Sequence, residues 1–176
     1  ACFLQHHGFA LEHEEWTMQL ENLPATSFSQ PARPGQIKKL DRAAAVRTLP
    51  ALYERCFAAT AWFPPYTTAE VSATWEPGDA LWTLVVDGAT SGFAWLHRPT
   101  PHAAEIEPIG IVPEKQGMGY GRFLLTTLLQ QLQNQGMQTV SLGVGAINET
   151  AVRLYQSLGF RHVSSSYSLT YSFSSK

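Results

Sequence analysis

The clearest period in the chain runs through Leu124, Leu125, Leu128, Leu129 and Leu132. Spacings of three and four lay one apolar stripe along a helix, so the pattern predicts a helix over 119–135, ended by Gly136. A second stripe, Ala151, Leu154, Tyr155 and Leu158, predicts a helix capped by Asn148 and stopped at Gly159. Further upstream, DRAAAVRTLPALYERCFAA (41–59) reads as helix, opened by Asp41 as N-cap and disturbed by Pro50. Thr67 or Thr68 caps a short helix through Thr74.

Between these stretches the period changes to two. IKKL (37–40) is a short strand, and LWTLVVDG (81–88) with GFAWLH (92–97) forms a hairpin connected through Asp87-Gly88. AEIEPIGIV (104–112) follows as a strand, and Pro108, which has no N–H to donate, predicts a bulge or an unpaired edge there. TVSLGV (139–144) is a buried strand, and alternation from Phe160 to Phe173 gives one or two more. The order β-α-α-β-β-β-α-β-α-β defines an α/β (α+β) domain. Strand 104–112, helix 119–135 and strand 139–144 make a right-handed crossover, which requires the two strands to be parallel.

Composition narrows the function. At 176 residues, 44% hydrophobic, the chain suits one domain with an appendage. A net charge of −2 with 15% charged residues lacks the basic footprint of a nucleic-acid binder. No apolar run approaches a bilayer's width, and the amino end has no signal-peptide pattern, so no membrane partner is expected. Cys2 and Cys56 make no disulfide framework, and no Cys/His cluster has metal-ligand spacing. Reduced thiols in the cytoplasm and no metal are the expectation.

PEKQGMGYGRFLL (113–125) sets three glycines within five positions at the start of the leucine helix. Each Gly costs about 1 kcal/mol relative to Ala inside a helix. At a helix entry, however, the first amides lack internal partners and the macrodipole is positive, so glycines let a phosphate lie against the backbone. The loop lacks the Lys-Ser/Thr ending of a P-loop and the G-x-G-x-x-G spacing of a dinucleotide site. Gln116-Gly117-Met118-Gly119-Tyr120-Gly121 does fit Q/R-x-x-G-x-G/A, and Asn148, Ala151, Leu154-Tyr155 and Gly159-Phe160 fit N-x-x-A-x-x-L-Y-x-x-x-G-F without a gap. Over residues 35–174 the chain therefore resembles the GNAT superfamily of N-acetyltransferases.

That resemblance implies a twisted, mostly antiparallel mixed sheet with one splayed parallel pair, flanked by helices, and acetyl-CoA as co-substrate. The backbone of Ile109, Ile111 and Val112 would serve the pantetheine arm. Gln116 and the amides of Gly117, Met118, Gly119, Tyr120, Gly121 and Arg122 would hold the diphosphate, and Asn148 would approach the arm while capping its helix. Tyr155 matches the family's general acid, which protonates the departing thiolate. Glu105 and Glu107, two apart on one strand, face the same way; Glu105, eleven residues before Gln116, stands where several members of the family hold their catalytic glutamate, and Glu107 is the runner-up, either acting directly or through a water. Deprotonating a lysine-like amine at pH 7 costs roughly 4.6 kcal/mol, which gives such a base its value. Trp62, Phe63, Tyr66, Trp82, Trp95 and His97 fall in segments that form the acceptor side in this family. The chemistry implied is direct attack by a primary amine of a small molecule or peptide in a ternary complex. The alternative is a non-catalytic CoA-binding sensor or scaffold.

The beginning of the chain repeats its end. CFLQHHGFALEHEEWTMQL (2–20) aligns with RLYQSLGFRHVSSSYSLTY (153–171) at an offset of 151, with Gly8-Phe9 on Gly159-Phe160 and Trp16, Met18 and Leu20 on Tyr167, Leu169 and Tyr171. Residues 1–23 thus look like the tail of a preceding GNAT-like domain, 24–36 (PATSFSQPARPGQ) like a linker, and 37–174 like the GNAT domain. With no initial Met, the chain reads as the carboxyl part of a tandem protein. An orphan apolar strand invites aggregation, so 9–21 is expected to pair with the main sheet or with a second chain, as a homodimer or by strand exchange.

Overall fold

The computed structural model describes residues 9–28, 34–60 and 64–171. Among these described residues, eleven α-helices and β-strands follow in order: β1 (Phe9–Leu20), β2 (Gln36–Leu40), α1 (Arg42–Phe57), α2 (Thr68–Thr74), β3 (Ala80–Val86), β4 (Ala89–Thr100), β5 (Ala103–Ile111), α3 (Tyr120–Asn134), β6 (Thr139–Gly145), α4 (Glu149–Ser157) and β7 (Arg161–Tyr171). Hydrogen bonding orders the strands β2-β3-β4-β5-β6-β1-β7. The β5–β6 pairing is parallel, as the crossover requires, and β2–β3, β3–β4, β4–β5 and β1–β7 are antiparallel. The chain divides into two compact units, residues 20–142 and residues 1–19 with 143–176.

In the larger unit, Asp41 accepts the Ala44 N–H at 2.8 Å and starts α1. Pro50 lies inside that helix without ending it. Ala45, Leu49, Leu52, Tyr53 and Cys56 form the buried face of α1, packed with Leu81, Phe93 and Trp95 of β3 and β4. Phe93 is fully buried; burying such a ring stabilises the fold by roughly 1.5–3 kcal/mol. The β3–β4 hairpin turns at Asp87 and Gly88, both at positive φ (52° and 78°), the geometry of a type I′ turn. Helix α3 buries its leucine stripe and stops at Gly136, whose φ of 78° goes with a Met137 N–H bond back to Leu132.

Part of the segment read as a linker is tied down. Gln133 donates to the carbonyls of Leu23 and Thr26, and Gln130 to that of Phe28. Residues 29–33 lie outside the described residues, as do Trp62, Phe63, residues 1–8 and Phe173.

In the smaller unit, β1 and β7 pair over most of their length, from Phe9↔Tyr171 to Gln19↔Arg161. Trp16 Nε1 and the Ser165 hydroxyl both donate to Glu14, which pins this register. A single strand, not two, follows Phe160 among the described residues. On α4 the buried positions are Val152 and Tyr155, with Ala151 and Leu154 only half-buried.

Candidate active site

Strand β5 carries both carboxylates and the bulge expected at Pro108. Ala94 pairs with Ile109 but Leu96 pairs with Ile106, so Trp95 on β4 faces two residues, Glu107 and Pro108. Burial alternates along β5, with Glu105, Glu107, Ile109 and Ile111 half-buried and the residues between them buried.

The parallel ladder runs through Ala103↔Thr139, Ala104↔Val140 and Glu105↔Ser141 and has no registered rung beyond. Yet β5 continues to Ile111. The orientation of its backbone groups follows from one bond. The Val112 N–H donates to the Ser91 carbonyl at 3.0 Å, toward β4. By alternation, Gly110 also addresses β4, whereas Ile109 and Ile111 turn their N–H and C=O groups to the opposite edge. Both backbone groups of Val112, expected to serve the arm, have partners within the chain: its N–H donates to the Ser91 carbonyl and its own carbonyl accepts the Lys115 N–H at 2.9 Å. The Gln116 side-chain amide donates to the Ile111 carbonyl at 2.8 Å, bracing the loop from within.

The glycine turn then enters α3. Gly117 and Gly119 have φ of 71° and 83°, and Gly119 occupies the N-cap with no side-chain cap. The first intrahelical acceptor there is the Gly119 carbonyl, bonded by the Phe123 N–H, so the amides of Tyr120 and Gly121 precede the first intrahelical bond. Met118 is half exposed on the turn. Tyr120 anchors it from below, its ring packed with Leu84 and Val86.

An aromatic wall stands beside the β5 bulge. Trp95 lies against Trp75 (5.6 Å between ring centres), His97 (4.7 Å) and Tyr66 (6.2 Å), and Tyr66 meets Tyr53 at 4.7 Å. The Tyr66 hydroxyl is held above the usual phenol range, first by burial and then by the negative charges of Glu107 and Glu70. Tyr53, Phe57, Thr60 and Pro65 line a pocket next to it. Cys56 lies buried behind, its thiol pushed up to about 12 mainly by burial, with Arg55 opposing and Glu114 adding. It stays a neutral thiol and offers no acyl nucleophile.

His97 is the residue whose surroundings the sequence did not reveal. Its Nδ1 lies 3.1 Å from Asp79, whose side chain is 1% exposed, and its Nε2 lies 3.1 Å from the Glu107 carbonyl. Asp79 follows Gly78 in a short loop and carries no sequence signal of its own.

The smaller unit holds the other two expected residues. The Asn148 side chain accepts the Ala151 N–H at 3.2 Å, the capping role the sequence predicts. Tyr155 is buried on α4 with its ring 6.0 Å from Phe160. Glu105, Glu107 and the glycine turn thus lie in the larger unit, and Asn148 and Tyr155 in the smaller one.

The profile of the Acetyltransferase (GNAT) family matches residues 46–160, a span that includes β5, the glycine turn and α4. This chain belongs to the GNAT acetyltransferase family. Among GNAT proteins it is 42% identical over 90 residues to mycothiol acetyltransferase of Paenarthrobacter aurescens strain TC1, covering 48% of this chain and 28% of that one. It is 34% identical over 100 residues to the mycothiol acetyltransferase of Thermomonospora curvata, covering 57% and 34%. The chain thus spans about a third of the length of these curated relatives. Of solved GNAT structures, the ribosomal-protein-S18-alanine N-acetyltransferase of Escherichia coli superposes with a TM-score of 0.65 at 25% identity, over 74% of this chain and 79% of that one. A GCN5-related N-acetyltransferase from Sphaerobacter thermophilus gives 0.75 at 21% identity, over 96% and 54%, a likeness of fold.

Proposed function

We propose that this chain is an acetyl-CoA-dependent N-acetyltransferase domain acting on a primary amine of a small molecule of the mycothiol class. The observation that carries the donor side is the early end of the parallel ladder. Beyond Glu105↔Ser141 the ladder has no registered rung, while Ile109 turns its main-chain N–H and C=O, and Ile111 its N–H, to that edge, and the glycine turn opens at the end of the strand. An extended amide-bearing arm fits such an edge, and a diphosphate fits uncapped helix amides. The small-molecule acceptor rests on the relatives named mycothiol acetyltransferase. A peptide amino terminus, the acceptor in the name of the E. coli structural neighbour, is the competing outcome.

In this reading the amine nitrogen attacks the thioester carbon, the new C–N bond forms and the C–S bond breaks. A carboxylate on β5 takes the amine's proton, and Tyr155 supplies a proton to the leaving sulfur. A thiol's pKa near 8.5 lies below a phenol's near 10, so this last transfer is mildly uphill and is drawn forward by release of the neutral thiol.

The test is calorimetric titration with CoA, then thiol release from acetyl-CoA across amines and peptides. The expected result is binding, release with a small amine, and a fall in kcat of about a hundredfold in Tyr155→Phe. CoA binding with no release for any amine would favour a sensor or scaffold. No binding at all would overturn both readings.

We also propose that β1 derives from the tail of a preceding GNAT-like repeat. Its sequence repeats 160–171 at an offset of 151, and the observed pairing sets Glu15 opposite Ser166, its own counterpart in that alignment. Two equivalent strands joined about a local two-fold would pair in this way.

A further inference from the structure

We propose that the outer edge of β7 is the docking edge for a second GNAT-like sheet, and that its occupant is the end of the β6-like strand of the repeat from which β1 derives. This rests on the repeat origin of β1 and not on acetyl transfer.

The β1–β7 ribbon is symmetric beyond the likeness of its two sequences. Any antiparallel register maps onto itself when counterparts at an offset of 151 are exchanged, so matched pairs alone carry no weight. Bulges obey no such rule. The register skips Glu12 on β1, between Leu11↔Leu169 and His13↔Ser168, and skips Val163 on β7, between Thr17↔Ser164 and Met18↔His162. Glu12 and Val163 are counterparts at that same offset. A bulge bends and twists its strand, so two bulges at counterpart positions shape both strands alike about a two-fold at Glu15↔Ser166.

A two-fold acts on the neighbours of the pair it relates as well as on the pair. On its other side β1 lies beside β6. There the Ala146 N–H donates to the Glu14 carbonyl at 2.9 Å. The His13 ring lies over Gly145, where an added Cβ would come within 3.1 Å of it. Glu14 therefore turns its main chain away from β7, and its counterpart Ser165 turns its own away from β1. By alternation Tyr167 does the same. The two-fold then sets opposite Ser165 an N–H equivalent to that of Ala146, on a strand equivalent to β6. The strand order becomes β6, β1, β7, β6-like, with each repeat lending one strand to the other's sheet.

The two ends of the sheet differ in the same sense. Among the described residues, β2 and β7 end the strand order. β2 carries Lys38 and Lys39 within its five residues, the charged guard of an edge that stays in water. β7 (RHVSSSYSLTY) has no Lys, Pro or carboxylate, and its one permanent charge, Arg161, comes at its start. Val163, Tyr167 and Tyr171 are exposed along it. A second copy of this chain does not fit the edge, because its β6 is already covered by its own β1. The occupant needs an uncovered β6-like strand, and the repeat whose last strand lies in this sheet has one.

The experiment joins residues 22–151 ahead of residue 1 of the intact chain, so that Ala1 takes the place of Val152 and β1 becomes the last strand of a leading repeat. Amide hydrogen exchange is then read on β7 in this doubled chain and in the intact one. In the intact chain Ser165 and Tyr167 are expected to exchange freely, while Ser166 and Ser168, which face β1, exchange slowly. In the doubled chain Ser165 and Tyr167 are expected to slow by about tenfold or more. Tyr167→Lys, a charge placed on the joined edge, is expected to reverse this. Free exchange at Ser165 and Tyr167 in a doubled chain whose leading repeat is folded would overturn the docking edge, as would slow exchange there in the intact chain by itself. A leading repeat that stays unfolded would refute the origin of β1. The edge is then decided by a peptide of residues 139–148 added to the intact chain, with a scrambled peptide as control. Protection of Ser165 and Tyr167 but not of β2 supports the edge, and protection of neither or of both refutes it.

Discussion

Thr67 and Glu70 close the first turn of α2 on each other. The Thr67 hydroxyl oxygen accepts the Glu70 N–H at 3.2 Å, and the Glu70 carboxylate accepts both the Thr67 N–H and its hydroxyl at 2.7 Å. Sequence left Thr67 and Thr68 as rival caps, and Glu70, three residues after Thr67, decides between them as a capping box. The Thr67 N–H, foremost, and then its hydroxyl hold the Glu70 carboxyl below the usual carboxylate range. The folded state therefore favours the ionised form. That contribution is complete above an ordinary glutamate pKa of about 4.3 and is lost as pH falls through the lowered value of the folded state. Thr67→Ala is expected to lower the urea-derived stability by about 1 kcal/mol at pH 7. For Glu70→Gln, the stability difference from wild type should shrink as the pH drops below 4.3. A difference that grew with acid would refute the box's dependence on charge.

Strand β5 shows how one element is shaped by the two it lies against. A Cβ at Gly110 would sit 2.9 Å from the Cys56 Cβ and 3.1 Å from the Phe57 ring, so α1 rests directly on the strand's backbone there. Gly110→Ala should cost about 1–3 kcal/mol from overpacking, read from urea unfolding, and should loosen CoA binding because the same strand bears Ile109 and Ile111. Gly117→Ala differs in kind. Nothing lies within 4 Å of its added Cβ, but φ is +71°, so its cost is the left-handed backbone alone, roughly 1–2 kcal/mol. A Gly110→Ala protein as stable as wild type would show that α1 can move off β5. Pro108, a residue without an N–H that cannot complete a rung, left a bulge or an unpaired edge open in the sequence, and the register against β4 decides for the bulge. Nothing in the sequence announced that Val112 would commit both of its backbone groups, since alternation along a strand says which groups share a side but not which side faces a partner.

For the molecule as a whole, the element to remove is β1. It lies between β6 and β7 in the strand order and pairs along the length of β7. Deleting residues 1–21 would expose the edges it covers, and open strand edges seek other chains. The shortened chain is expected to associate or precipitate, seen by light scattering, where the intact chain does not. A monomeric 22–176 chain with an unchanged Tm would show that β1 is dispensable. Val163, Tyr167 and Tyr171 on β7, and Leu11 on β1, remain exposed.

The sequence by itself determined the order of helices and strands, the caps at Asp41 and Asn148, the turn at Asp87-Gly88, the broken rung at Pro108 and the glycine entry to α3. Each of these is set within a few residues by a period, a missing N–H or a need for positive φ. Tertiary structure decided the place of β1, the last rung at Glu105↔Ser141, the commitment of Val112 and the meeting of Asp79 with His97 and the Glu107 carbonyl. These join residues far apart in the chain, and such contacts are selected by how whole faces pack and how buried polar groups find partners, which no local pattern encodes.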